Sequence, residues 1–174
     1  MNHNDHINLI LGGVPEKGGV WADFGSGGGA FTFALAELLG PGSTIYSVDQ
    51  GSGALKRQAR TMESRYPEVG VHYLTADFTQ PLTLPTLDGV LMANSLHFVR
   101  HKEGLLERIR GYLKPDGRLL LVEYNTDRGN HWVPHPLSYQ SWQQLAQRAG
   151  FNHTELVATR PSSFLGAFFS AVSW

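Results

Sequence analysis

The stretch V-W-A-D-F-G-S-G-G-G-A-F at residues 20–31 places four glycines within five positions, and the acid Asp23 stands two residues before the first of them. Glycine loses more conformational freedom on folding than other residues, so such a cluster indicates a forced turn or a close approach by another group. A short apolar segment precedes the glycines and a helical pattern follows them. This order is typical of a site where a nucleotide-type cofactor lies against bare backbone and free helix N–H groups. A glycine-rich turn without a ligand is the alternative interpretation.

The rest of the chain alternates apolar, strand-like segments with helical ones. This alternation predicts parallel strands joined by right-handed helical crossovers, because a helix must carry the chain back across the sheet. Only a short Pro-Ser-Ser turn separates the last two strands, which predicts that they pair antiparallel. The sequence K-P-D-G at residues 114–117 is predicted to form a turn. Strands are predicted at residues 19–24, 44–48, 71–74, 88–93, 118–123, 155–159 and 165–172, and helices at residues 31–39, 53–65, 102–113 and 138–150.

The composition limits the class of protein. The 174 residues suit a single domain, residues 1–174, and the apolar fraction of 41% suits a packed core. The net charge of −1 argues against a nucleic-acid partner, because proteins that bind phosphate backbones usually carry a basic surplus. The absence of cysteine excludes disulfides and thiolate chemistry. The N-terminal apolar run is too short for a signal peptide and no stretch can span a bilayer, so we expect a cytoplasmic protein without a membrane partner.

Two further acids follow predicted strands. Asp49 comes after the second strand, and Asp77 comes after the third with Phe78 beside it. A carboxylate at Asp49 can accept hydrogen bonds from two ribose hydroxyls and would repel a 2′-phosphate, which argues against NADP. At Asp77 a carboxylate can accept an adenine amino proton while the Phe78 ring packs on the base. For either acid alone, the alternative is a solvated loop at the end of a strand.

Asp23 discriminates between two classes of cofactor site. Dinucleotide-binding folds usually carry an apolar residue at this place in the first strand. An acid there suits a cofactor with a cationic head, such as an amino acid ammonium or a sulfonium. The alternative is an acid that only braces the glycine loop with hydrogen bonds.

The motif D-F-G-S-G-G-G at residues 23–29 resembles the D/E-x-G-x-G-x-G motif of class I S-adenosylmethionine-dependent methyltransferases. The resemblance continues, in order and spacing, through Y-S-V-D-Q (46–50), T-A-D-F (75–78), D-G-V-L-M-A-N-S-L-H-F (88–98) and L-K-P-D-G-R-L-L-L-V-E (113–123). The last two segments are most similar to the UbiE-related branch, whose members methylate small molecules. The resemblance implies a three-layer α/β/α, Rossmann-like fold, with a doubly wound, mostly parallel seven-stranded sheet and one antiparallel C-terminal strand.

The resemblance also implies roles for individual residues. Asp23 would steer the ammonium of S-adenosylmethionine, Asp49 would take the ribose hydroxyls, Asp77 would hold the adenine, and Asn94 would line the methionine end. The complete set of cofactor-binding residues that it implies is Asp23, Gly25, Ser26, Gly27, Gly29, Asp49, Gln50, Asp77, Phe78 and Asn94.

Two residues are candidates for catalysis. A sulfonium is already electrophilic, so methyl transfer needs no metal, but a hydroxyl or acidic-carbon acceptor benefits from a general base. His97, just after the fourth strand, is the candidate base, and a packing histidine at a helix start is the alternative. Tyr124, at the end of the fifth strand, faces either the acceptor or the core.

The long loop at residues 125–137 is a candidate lid or acceptor wall. It carries His131, Trp132 and His135, but no third ligand at clear spacing supports a metal site. We therefore expect no metal.

Three functions remain open from the sequence. A methyltransferase acting on a small molecule is preferred, since residues 93–96 (A-N-S-L) lack the N-P-P-Y or D-P-P-Y motif of enzymes that methylate nucleic-acid amines. An NAD-dependent oxidoreductase would need a pair such as Tyr-x-x-x-Lys, which does not follow the fifth strand. A non-catalytic S-adenosylmethionine-binding module is the third.

The C-terminal segment is rich in aromatic residues. These side chains either supply a contact in a homodimer or belong to the sheet core, and the core is the preferred interpretation. They are Phe164, Phe168, Phe169 and Trp174.

Overall fold

Seven strands form one twisted sheet in the computed structural model, which describes all residues, 1–174. The strand order is β3-β2-β1-β4-β5-β7-β6, and every neighbouring pair is parallel except those that include β7. The predicted fold, a mostly parallel sheet with one antiparallel C-terminal strand, is therefore confirmed. The strands are β1 (Val20–Phe24), β2 (Thr44–Asp49), β3 (Gly70–Thr75), β4 (Leu87–Ala93), β5 (Leu113–Tyr124), β6 (Thr154–Ser162) and β7 (Gly166–Ser173).

Helices cover both faces of the sheet, which explains why its central strands are apolar throughout. Buried side chains of α1, α2 and α3 pack on one face, and those of α4 and α5 pack on the other. None of the helices is both long enough and apolar enough to cross a membrane. The helices are α1 (His3–Ile10), α2 (Ala30–Leu39), α3 (Ser52–Arg65), α4 (Glu103–Tyr112) and α5 (Tyr139–Arg148), with 3-10 turns at Leu11–Gly13 and Leu96–Phe98.

The N-terminal helix α1 is absent from the sequence-based prediction. It starts at a capping box in which the Asn2 side chain accepts from the backbone of Asp5 and the Asp5 side chain accepts from the backbone of Asn2. Arg160 of β6 donates to the Asp5 carboxylate over 2.7 Å, and Leu9 is buried against the sheet. Since an isolated helix of eight residues is marginal in water, these tertiary contacts explain why α1 forms.

The residues predicted to form a turn before the fifth strand lie inside β5 instead. Between the pairs Leu87–Leu113 and Gly89–Arg118 the register advances two residues along β4 and five along β5. Residues 114–117 therefore form a bulge, and the strand continues on both sides of it. The turn-forming residues K-P-D-G lie in this bulge.

The C-terminal aromatic residues mostly belong to the core. Phe168 and Phe169 are buried in β7 on opposite faces of the sheet, and Trp174 packs partly buried on the face of Phe168. Phe164, in the hairpin turn between β6 and β7, is exposed.

Gly89 provides a test of the packing between β1 and β4. A Cβ atom at this position would lie within 2.5 Å of Trp21 Cε3, and that indole is buried. We expect Gly89→Ala to lower the free energy of unfolding by about 1–3 kcal/mol, because the core has no room for the methyl group. Urea unfolding measures the change.

Gly104→Ala is the matched control. Gly104 lies in α4 with no atom within 4 Å of a Cβ at its position, and alanine favours a helix by up to about 1 kcal/mol. This variant should be as stable as the parent or more so. A Gly89→Ala protein of unchanged stability would contradict the packing argument.

Candidate cofactor-binding and catalytic site

The glycine loop lies at the carboxyl end of β1, where strand order reverses between β1 and β4 and open α/β sheets usually bind ligands. Gly25, Gly27 and Gly29 all have positive φ, at 79°, 53° and 89°. A side chain at Gly25 would also collide with Ser95, whereas one at Gly27 would meet nothing within 4 Å. The loop is thus forced into a conformation that favours glycine and presents open backbone to the space above it.

Asp49, at the end of β2, braces this loop. One carboxylate oxygen accepts from the backbone N–H of Gly27 over 2.9 Å, and the other accepts from the N–H of Gly51 over 2.7 Å. A carboxylate has about four acceptor positions, so both oxygens can still accept from ligand hydroxyls. The sequence predicted that Asp49 would accept from ribose hydroxyls, but it did not indicate that Asp49 braces the glycine loop.

A buried chain of hydrogen bonds supports the loop from below. Thr32 donates to the Asp23 carboxylate over 2.6 Å and accepts from Gln58 over 2.7 Å. Ser47 donates to Gln58 over 2.6 Å and lies 2.8 Å from the Ser26 hydroxyl. Burial raises the pKa of Asp23 to about 7, although the Thr32 hydrogen bond opposes this shift. Asp23 is therefore bonded to Thr32 of α2 rather than directly to the glycine loop, and it also lines the cavity described next.

Two cavities meet at Gly25 and Asn94, which line both of them. The larger has a volume of about 490 Å³ and includes Asp23, the glycine loop and the start of α2 in its wall. The smaller has a volume of about 310 Å³, and its wall includes Asp49, Gln50, Asp77 and Phe78. Eight of the ten predicted cofactor-binding residues line these cavities, and the other two, Gly27 and Gly29, lie in the same glycine loop.

Asn94 has two unusual features at the junction of the cavities. It is the only residue other than glycine with positive φ, at 54°, and its Oδ1 atom is buried without a hydrogen-bond partner. A buried polar atom without a partner costs free energy, so this carbonyl is suited to accept a hydrogen bond from a ligand. Together with Asp23 it gives the larger cavity the acceptors that a ligand ammonium requires.

Asp77 and Phe78 form the far wall of the smaller cavity. Thr79 donates to one oxygen of Asp77 through its hydroxyl and its backbone N–H, and these bonds hold the pKa of that carboxyl below its usual value. The second oxygen of Asp77 is free of these bonds. Phe78 stacks on Phe24 of β1 with ring centroids 6.1 Å apart.

The N-terminal helix contributes to the site in a way that the sequence did not indicate. His3 and His6 line the larger cavity together with Arg65 of α3. His3 lies 2.8 Å from the Glu37 carboxylate, while the Nδ1 atom of His6 is buried without a partner. Burial lowers the pKa of His6. The wall of the larger cavity therefore combines the carboxyl group of Asp23 with the imidazoles of His3 and His6 from α1.

His97 lies in the 3-10 turn after β4 and is bound to Glu123 of β5. The Glu123 carboxylate accepts from the His97 backbone N–H over 3.1 Å and lies 2.7 Å from Nδ1. Glu123 is fully buried and His97 is 3% exposed. A carboxylate at Nδ1 fixes the proton there and leaves Nε2 as the basic atom of the neutral ring. Sequence reasoning missed Glu123, although an acid that ends the apolar run R-L-L-L-V-E was a usable signal.

Tyr124 and the neighbouring aromatic rings surround the His97 side chain. The Tyr124 ring lies 6.3 Å from His97 and 4.4 Å from Phe168, and burial raises the pKa of its hydroxyl. Neither His97 nor Tyr124 lines the two cavities, but Ser95 and Phe98, on either side of His97 in the chain, line the smaller one. The candidate base therefore lies just outside the cofactor-sized space.

The loop at residues 125–137 crosses this region. The backbone N–H of His135 donates to the His97 carbonyl over 3.0 Å, whereas His131 and Trp132 are exposed.

The buried carboxyl of Asp23 gives a testable pH dependence of stability. The unfolded chain loses this proton near pH 3.8 and the folded protein near pH 7. Raising the pH through this interval should therefore weaken the wild-type protein relative to Asp23→Asn, by up to about 4 kcal/mol. Urea unfolding of both proteins between about pH 4 and pH 8 measures the difference. The exposed Asp116→Asn variant is the control, and a wild-type to Asp23→Asn difference that does not vary with pH would contradict the assignment.

Solved structures with this fold include methyltransferases. A methyltransferase from Aquifex aeolicus that depends on S-adenosylmethionine superposes with a TM-score of 0.68 at 18% identity, over 98% of this chain and 86% of that one. At this identity the likeness establishes the fold.

Curated relatives are similar over most of the chain. A reducing polyketide synthase from Penicillium, grgA, is 26% identical over 161 residues, which are 79% of this chain and 6% of that protein. The ubiquinone/menaquinone biosynthesis C-methyltransferase UbiE of Ectopseudomonas mendocina is 30% identical over 121 residues, which are 68% of this chain and 46% of that protein. The chain spans less than half the length of either relative.

A family model described as a methyltransferase domain matches residues 22–119, more than half of the chain. The match runs from β1 to β5 and includes the glycine loop, Asp49, Asp77, Asn94 and His97. The chain therefore belongs to the class I S-adenosylmethionine-dependent methyltransferases.

Proposed function

We propose that this methyltransferase transfers the methyl group of S-adenosylmethionine to an acidic carbon of a small-molecule acceptor, with His97 as the general base. The observation that carries this proposal is the buried pair of His97 and Glu123, whose Nδ1 and Oε2 atoms lie 2.7 Å apart. The pair lies at the carboxyl ends of β4 and β5, beside the cavities that fit the cofactor.

The residues around both cavities fit the cofactor. In the larger cavity the unpaired Asn94 carbonyl and Asp23 would accept from the methionine ammonium. The free N–H groups at the start of α2, which begins at Ala30 without a side-chain cap, would receive the carboxylate. In the smaller cavity Asp49 would accept from the ribose hydroxyls, and Asp77 from the adenine amino group. When bound, the cofactor supplies a sulfonium methyl group that needs no metal activation.

The pair of His97 and Glu123 would move one proton. Nε2 would take a proton from the acceptor carbon next to a carbonyl group, which leaves an enolate as the nucleophile for the methyl group that a bound cofactor would supply. The sulfur–methyl bond would break as the carbon–methyl bond forms, and S-adenosylhomocysteine would be released. Glu123 holds the proton on Nδ1 and stabilises the imidazolium that forms. Such a general base contributes roughly 10²–10⁴-fold to the rate.

Two reasons favour a carbon acceptor, of which the first argues against nitrogen and the second favours carbon over oxygen. An amine is nucleophilic without a base, so a dedicated base favours an acceptor that must lose a proton first. The UbiE relative is described as a C-methyltransferase, and the grgA relative is a polyketide synthase. Enolisable carbonyl compounds, such as β-keto esters and β-keto thioesters, are therefore the acceptor class to test.

We predict that Asp49→Ala weakens binding of S-adenosylmethionine by about 2–4 kcal/mol, because two charge-assisted hydrogen bonds to the ribose are lost. Calorimetry on the wild type and the variant, with S-adenosylmethionine, S-adenosylhomocysteine and NAD as ligands, measures this change. The first two ligands should bind to the wild type and NAD should not. Asp116→Ala, an exposed acid in the β5 bulge, should bind normally. An unchanged affinity in Asp49→Ala would exclude the ribose contact.

We predict that His97→Ala lowers kcat by about 10²–10⁴-fold while the Kd for S-adenosylmethionine stays within about twofold, because the base does not hold the cofactor. The assay uses cofactor with a ¹³C-labelled methyl group and a panel of enolisable acceptors, and NMR separates carbon-methylated from oxygen-methylated products. Glu123→Gln should also slow turnover, since the amide cannot stabilise an imidazolium. His101→Ala, an exposed histidine four residues away, is the control. Full activity in His97→Ala would return His97 to a packing role.

A further inference from the structure

Lys102 is a buried lysine with no role in the reaction proposed above. It is 8% exposed and lies just before α4. Its ammonium donates to the carbonyl of Val99 over 2.7 Å and to the carbonyl of His135 over 2.8 Å. Since lysine is rarely buried, these two bonds and any nearby negative charge must offset the cost of removing the ammonium from water.

The two carbonyls belong to the segments that flank the candidate base. Val99 caps the 3-10 turn that contains His97. His135 lies in the loop at residues 125–137, and its own N–H donates to the His97 carbonyl over 3.0 Å. The Lys102 ammonium therefore joins the 3-10 turn that contains His97 to the loop at residues 125–137. The backbone hydrogen bond between His135 and His97 joins the same two segments.

The charge of Lys102 also bears on the catalytic pair. Burial lowers the pKa of the ammonium, while the Glu123 and Glu103 carboxylates raise it. Burial is the main cause of the raised pKa of the Tyr124 hydroxyl, and the Glu123 carboxylate raises that pKa further. The charged or titratable groups that these contacts link are His97, Glu123 and Tyr124, Lys102 and Glu103 at the start of α4, and His135 in the loop at residues 125–137. Lys102 is the cation of this group, and the fully buried Glu123 carboxylate favours its charged form.

We infer that Lys102 is a positioning residue for the methyl-transfer reaction, because it fixes the His97 turn against the 125–137 loop and supplies the positive charge that balances Glu123. This inference rests on the proposed role of His97 as the base. Lys102 lines neither of the two cavities. It acts by holding Nε2 in place and by keeping a positive charge near the Glu123 carboxylate.

Lys102→Met tests this role, since methionine keeps the apolar stem and removes the ammonium. We expect kcat to fall at least 30-fold, because a displaced catalytic group costs on the order of 10²-fold. The Kd for S-adenosylmethionine should stay within about twofold. Hydrogen exchange measured by mass spectrometry should become at least fivefold faster in peptides that cover residues 95–99 and 125–137.

The pH–rate profile separates positioning from a general loss of structure. Without the Lys102 charge, Glu123 attracts a proton to the pair more strongly, so the acid limb of kcat/KM should move to higher pH in Lys102→Met. Lys102→Arg keeps the charge, so its acid limb should stay in place even if the larger guanidinium slows the reaction. If Lys102→Met does not fold, Lys102→Arg decides between the outcomes: an acid limb that stays in place supports the role, and an acid limb that moves although the charge is kept overturns it.

Lys17→Met is the matched control, because Lys17 is exposed near the opposite end of β1. A folded Lys102→Met protein with kcat within threefold of the wild type and unchanged exchange would overturn the inference. If His97→Ala is inactive and Lys102→Met is fully active, the role of Lys102 is excluded and the role of His97 is kept. An active His97→Ala would instead sink the base itself.

Discussion

The hydrogen bond from the Gly27 N–H to the Asp49 carboxylate is the constraint on which the cofactor site depends. It ties the loop after β1 to the end of β2, while the N–H groups of Gly25 and Ser26 both donate to the Val48 carbonyl. Three glycines with positive φ make this path possible, because side chains rarely tolerate it. The backbone above the loop then stays open, and the two cavities form on either side of Gly25.

Beneath the loop, polar groups occupy space that an ordinary core would fill with apolar side chains. Thr32, Ser47 and Gln58 are completely buried and bond to one another or to Asp23. Such a network costs little only when its members are satisfied, and here each of them has partners. The cost that remains is concentrated on Asp23, whose raised pKa reflects a carboxyl group kept from water. A cationic ligand beside it would favour the charged form and offset that cost.

The end of β4 connects cofactor binding to catalysis. Within four residues it supplies Asn94, which lines both cavities, and His97, which pairs with Glu123 of the adjacent strand. The Ser95 hydroxyl between them donates to the Phe24 carbonyl over 2.7 Å, so the same segment is also fastened to β1. A shift of this segment would therefore move the candidate base and the cofactor wall together.

Much of this protein was predictable from local sequence. The strands, four of the five helices and eight of the residues that line the cavities follow from hydrophobic periodicity, glycine placement and position at strand ends. These signals are readable because each depends on a few consecutive residues. The local turn signal at residues 114–117 led to a predicted start of the fifth strand that was too late. Only the pairing with β4 shows that the strand continues through these residues.

The tertiary structure alone decided which distant residues meet. Glu123 lies 26 residues from His97, Lys102 lies 33 from His135, and Asp5 lies 155 from Arg160. No period or spacing encodes such pairs, because each forms only when separate elements pack on the same sheet. The same holds for α1, whose short polar sequence gives little helical signal until Arg160 and the core hold it. Sequence thus determined the family and the cofactor loop, whereas packing determined that the candidate histidine has a buried carboxylate beside it and that a buried lysine joins the two backbone segments next to it.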